Sequence, residues 1–179
     1  MLQVAQSYAQ LGKRPQFDSI VQKLKALQRT LEQQYQADTN NAPLATQLIS
    51  VYLFTQQTNL ASEFVDQLVA RSQADPGTLL YAAQVYNQLQ NPNRLETTLQ
   101  RLVTAMPTNP EAWYNLAGVQ AVLGKSAEAL AALQNAFQFS QQRLASQSTA
   151  KDLRAEAVTD QRFTNLRQDP KFQQLIKSQ

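Results

Sequence analysis

Tyr52, Tyr86 and Gln120 stand 34 residues apart, and so do Leu48, Ala82 and Leu116. A fixed period of 34 residues marks an array of helix-turn-helix units, and it governs how every other residue is read. One such unit cannot bury its apolar face alone, so the core forms between neighbours. In such a stack, function resides in the surface and its partner more than in a catalytic pocket.

The blocks bear this out residue by residue. In 76–109, Leu79, Ala82, Ala83 and Tyr86 form one face at helical spacing. Gln90 to Asn93 breaks the pattern, Pro92 suits the first turn of a second helix, and Leu95, Leu99, Leu102 and Val103 give that helix its buried face. In 110–143 the scheme recurs with Trp113, Leu116 and Ala117, a helix-ending Gly124, and then Ala129, Leu133, Ala136 and Phe137. In 42–75 it recurs with Ala45, Leu48, Ile49 and Tyr52, then Ala61, Phe64, Val65 and Leu68. The start, 1–41, is a truncated repeat: Val4, Ala5, Tyr8 and Gly12 occupy the corresponding positions. Its second helix carries an apolar stripe from Phe17 through Leu24, Leu31 and Tyr35, which predicts about six turns ending near Asp38. The far end of that helix, at Leu31 and Tyr35, is expected to protrude and to serve as a self-association site, giving a homodimer.

After residue 143 the period is lost. A helix continuing to about Ser148, a short helix over 151–158 and helical turns at 160–167 and 170–177 are expected, with Asp169–Pro170 as a start signal. This segment, 144–179, reads as a helical cap on the array.

Composition narrows the chemistry. The chain has neither Cys nor His, which removes thiol chemistry, histidine triads and histidine metal sites. The lack of Cys suits a cytoplasmic or a periplasmic location equally. No cofactor and no enzymatic activity are expected. The formal charge of +3 arises after residue 140, where seven basic face four acidic side chains, with no block of like charge. No stretch reaches the roughly 18 apolar residues needed to span a bilayer, so no direct membrane insertion is expected.

The pattern Trp113-x2-Leu116-Ala117-x2-Gln120, Ala129-x3-Leu133, Ala136 resembles the tetratricopeptide repeat (TPR), and Leu79-x2-Ala82-Ala83-x2-Tyr86 and Ala45-x2-Leu48-Ile49-x2-Tyr52 match it in register. The resemblance covers roughly 1–143. It implies an all-α, right-handed superhelix of about four repeats (1–41, 42–75, 76–109, 110–143) with a C-terminal helical cap. The tail around Asp160, Phe163, Asp169 and Phe172 looks like a segment that often follows TPR arrays in bacterial proteins. Together with a start inside a repeat, it suggests the C-terminal TPR domain of a larger bacterial protein.

In TPR proteins the first helix of each repeat lines a concave groove. By register that groove holds Gln3, Gln6 and Gln10, then Thr46, Gln47, Ser50 and Phe54, then Leu80, Tyr81, Gln84, Asn87 and Gln88, and lastly Tyr114, Asn115, Gly118 and Val122. None is basic, which argues against both capture of a carboxylate tail and binding of nucleic acid. The resemblance therefore implies a non-catalytic scaffold that binds a neutral peptide or an apolar helix of a protein partner. The alternative reading is an accessory domain of a larger enzyme, such as a membrane-embedded transferase.

Overall fold

The structure, a computed structural model, describes residues 2–70, 75–147 and 149–177, with the side chains of Leu2, Ala5, Gln6 and Ala9 excepted. The expected roles of Ala5, Gln6 and Ser148 thus fall outside the described residues. Ten α-helices and one 3-10 helix occur among the described residues, and no strand does. They form two compact units, Met1–Ser72 and Gln73–Gln179.

The first unit holds α1 (Leu2–Gln10), α2 (Arg14–Ala37), α3 (Ala42–Phe54) and α4 (Thr58–Ala70), each packed on the next. The second holds α5 (Pro76–Gln88), α6 (Pro92–Ala105), α7 (Pro110–Val122) and α8 (Ser126–Ser146), likewise packed in succession. It continues with α9 (Leu153–Thr159), the 3-10 helix Gln161–Leu166 and α10 (Pro170–Lys177), which close over α7 and α8.

Local chemistry explains the boundaries. Asn41, Asp75 and Asn109, each 34 residues from the next, cap α3, α5 and α7: each side chain accepts a backbone N–H three residues on. An N-cap satisfies one of the donors that a helix start leaves free. Proline follows each cap within two residues, where its missing N–H breaks no bond.

The turn inside each helix pair is also one motif. Lys13, Gln57, Asn91 and Lys125 donate their backbone N–H to the carbonyls of Tyr8, Tyr52, Tyr86 and Gln120, five residues earlier. This is the Schellman closure, and it requires a left-handed residue just after the helix. Gly12 and Gly124 hold that position with φ of 66° and 76°; Gln56 and Gln90 hold it with φ of 60° and 52°.

The first unit's core contains Leu24, Ala45, Leu48, Ile49, Ala61 and Val65, all fully buried. Phe64 links two tyrosines, with ring centroids 5.1 Å from Tyr35 and 5.3 Å from Tyr52. The Tyr52 hydroxyl donates to Glu32 at 2.8 Å. These contacts correct the expectation of a protruding α2 end. Leu31 and Tyr35 are 4 % and 5 % exposed, because α2 is long enough for its last turns to pack on α3 and α4. They present no free apolar surface for a second copy.

In the second unit Leu79, Ala82 and Tyr86 of α5, Leu99 and Leu102 of α6, Leu116 and Ala117 of α7 and Leu133 and Ala136 of α8 are all buried, where these helices pack in succession. Trp113 is half-buried and donates its indole N–H to the Pro107 carbonyl at 2.7 Å. Phe163 and Phe172, brought in by the tail, are 0 % and 2 % exposed.

Candidate functional site

A cleft of about 640 Å³ opens in the second unit between α5 and α7, with α6 as its floor. Leu95, Leu99 and Leu102 line the floor. Leu80, Gln84 and Asn87 stand on the α5 wall, and Asn115, Gly118 and Val122 on the α7 wall. Leu80 and Val122 are 46 % and 60 % exposed, so an apolar side chain stands open on each wall.

The α7 wall is finished by the tail. Arg162, the second residue of the 3-10 helix, reaches into the cleft and donates through Nη1 to Asn115 Oδ1 at 3.2 Å. Its Nε and Nη2 engage Asp160, the shortest bond being 2.6 Å from Nη2 to Oδ2. Asp160 also caps the 3-10 helix through the Arg162 backbone N–H and accepts the Tyr114 hydroxyl at 3.0 Å. The guanidinium lies over the Tyr114 ring, 5.2 Å from its centroid, and Tyr114 meets Phe163 edge-on at 5.4 Å. A cation over an aromatic face is attracted by the ring quadrupole.

Gly118 makes this arrangement possible. A Cβ there would sit 2.7–2.9 Å from the guanidinium atoms, closer than real Cβ contacts allow. The electrostatics follow from the same contacts. Burial alone would raise the Asp160 pKa, but the bonds and charge of Arg162 outweigh it and hold the carboxyl below its ordinary value. Burial, then the Asp160 hydrogen bond, push the Tyr114 phenol well upward, so it remains a neutral donor.

Of the residues expected in the groove, the cleft brings together Leu80, Gln84, Asn87, Asn115, Gly118 and Val122. Tyr81 and Gln88 lie on α5 outside its lining. Tyr114 is a correction: it is 3 % exposed, sealed under the 3-10 helix, because the tail packs on the groove face of the last repeat. The absence of a basic residue is corrected too, since Arg162 arrives from outside the repeats. Gln47, Ser50 and Phe54 lie on α3 of the first unit and none lines this cleft. Ser50 bonds back to the Thr46 carbonyl, and Phe54 packs 6.5 Å from Phe17.

The signal for Arg162 was Gly118. It stands in a helix interior where the other repeats have Ser50 and Gln84, and glycine there costs about 1 kcal/mol against alanine. A glycine kept at that cost marks a close approach. Leu95, Leu99 and Leu102 were legible as an apolar face but not as a floor.

Among the described residues no cluster of three or more acidic, Cys or His side chains is arranged to hold a metal ion. No described helix is long and apolar enough to cross a membrane.

Several solved structures match this chain. One is a crystal structure of MamA, a TPR-containing protein, with a TM-score of 0.57 over 93 % of this chain and 89 % of that one. The fold is TPR-like. At 15 % sequence identity the likeness extends to the fold alone. No family model matches the chain, and no curated protein sequence does.

Proposed function

We propose that this chain is a non-catalytic protein-interaction scaffold, and that a partner segment docks in the cleft between α5 and α7. One observation carries the reading: Leu80 and Val122 stand exposed on the two walls of the cleft, above leucines that are themselves buried. Fully burying a leucine or valine is worth about 1.5–3 kcal/mol, and roughly half of that remains to be gained at each of these half-exposed side chains, so this arrangement rewards a partner that fills it. The amide side chains of Gln84, Asn87 and Asn115 supply adaptable donors and acceptors at the rim. A TPR-like fold supports the reading at the coarse level, because packed helices hold such a surface rigid and the partner bears most of the ordering cost.

The test is a peptide library displayed on phage and panned against the whole chain, with affinities of the retained peptides read by fluorescence anisotropy. Leu80→Ser with Val122→Ser is expected to weaken binding by on the order of tenfold or more. Both side chains are open to solvent, so the thermal midpoint should move little. Affinity unchanged in the double variant would place the binding surface elsewhere.

A further inference from the structure

The geometry points to the identity and direction of the docked segment: we infer that the cleft takes one amphipathic helix of a partner protein, with its C-terminal end on the α7 wall at Arg162. This rests on the docking reading above and deepens it.

The floor argues for a helix. Leu95, Leu99 and Leu102 offer no side-chain hydrogen-bonding group, and the amides of Gln84, Asn87 and Asn115 sit on the walls. An extended segment would lay backbone N–H and C=O groups over that floor without partners, which is costly. A helix satisfies its backbone internally and needs partners only at its two ends. Its apolar face, spaced i, i+3 or i+4 and i+7, supplies anchors for Leu80, Val122 and the floor.

The walls set the direction. The two charged residues in the lining are both paired: Glu111 with Arg143 at 2.5 Å, and Arg162 with Asp160 at 2.6 Å. A neutral occupant is therefore favoured. Yet the five N–H groups of the guanidinium outnumber the acceptors that Asp160 and Asn115 provide, and its side chain remains 34 % exposed. The α7 wall is thus a donor surface with its positive charge already balanced. A helix C-terminus matches it, with four unpartnered carbonyls and about half a negative charge. A full carboxylate matches it less well, because Asp160 stands beside the same guanidinium and repels it. The α5 wall carries amides, whose oxygens accept the free N–H groups of a helix start.

The probe is a library of 18-residue amphipathic helical peptides, acetylated and amidated at their ends, panned against the whole chain. Retained peptides receive a nitroxide at one end or the other, and relaxation of the 15N-labelled protein is read. A C-terminal label should broaden the amides of Gly118 and Phe163, and an N-terminal label those of Gln84 and Asn87. Arg162→Gln, checked for its fold by circular dichroism, should bind on the order of tenfold more weakly. Should that variant not fold, the orientation alone decides. The reverse orientation, equal broadening from both labels, or a bound peptide without helix overturns this inference and leaves the docking reading intact. So does a retained sequence that, resynthesised with a free C-terminal carboxylate, binds more tightly than its amide. If no helical peptide is retained, this inference fails and the displayed library above decides the docking reading; if peptides bind and no cleft resonance responds, both fail.

Discussion

Gln56 and Gln90 occupy the left-handed turn position that Gly12 and Gly124 occupy elsewhere in the array. A side chain there meets the backbone unfavourably, and glycine does not. Gln90→Gly is expected to stabilise the second unit by about 0.5–1 kcal/mol, and Gly124→Ala to destabilise it by about 1 kcal/mol, both read from urea unfolding. A second prediction concerns Asp160. Its folded pKa lies below the ordinary value near 3.9. Its stabilising contribution is therefore complete above that value and is lost as the pH falls through the folded pKa. Asp160→Asn should cost about 1–3 kcal/mol at neutral pH, and the gap to wild type should narrow below pH 4. A gap that stays constant into acid would show that the charge of Asp160 is not what holds the tail.

At the scale of elements, one contact recurs between successive repeats. Gln57 donates to Gln28 at 2.9 Å in the first unit, and Lys125 donates to Glu96 at 2.6 Å in the second, both across 29 residues. The two pairs lie two 34-residue periods apart, so the same helix position meets the same turn position. Only the chemistry changes, from amides to an ion pair. Glu96 is 7 % exposed at its side chain while Lys125 is 44 % exposed, so solvent screens the lysine end. Lys125→Met leaves a buried carboxylate without its partner and should cost about 1–2 kcal/mol. Adding salt should weaken wild type and leave the variant almost unaffected. The length of α2 yields a further prediction. Leu31 is 4 % exposed, so Leu31→Asp places a charge in the core and should cost several kcal/mol, about 3 or more. Loss of helical signal on mild heating is expected. A variant as stable as wild type would mean that α2 does not pack as described.

Across the whole molecule, periodicity made the helices legible and aperiodicity hid the site. The 34-residue spacing of Tyr52, Tyr86 and Gln120 gave the helix pairs, and the apolar stripe to Tyr35 gave the length of α2, which ends at Ala37. That stripe does not say what it packs on, because a buried stripe and an exposed one are the same string of residues. For that reason Leu31 and Tyr35 read as a surface when they are core. The register likewise put Gln84, Asn87 and Asn115 on one face of their helices, and all three line the cleft, since each is fixed by position within a repeat. It failed at Tyr114 and Arg162 because their environment comes from the tail, which has no repeat to be registered against. The division into two units between 72 and 73 left no mark in the periodic pattern either. What these residues build is a TPR-like fold whose second unit carries an amide-rimmed apolar cleft, finished by an arginine from outside the repeats. The direct test is chemical-shift mapping of a library-selected peptide on the 15N-labelled chain. Shifts should concentrate at Leu80, Gln84, Asn87, Asn115 and Val122, with Gln47 and Ser50 unmoved. Shifts centred on α3, or spread evenly over the chain, would contradict docking in the cleft.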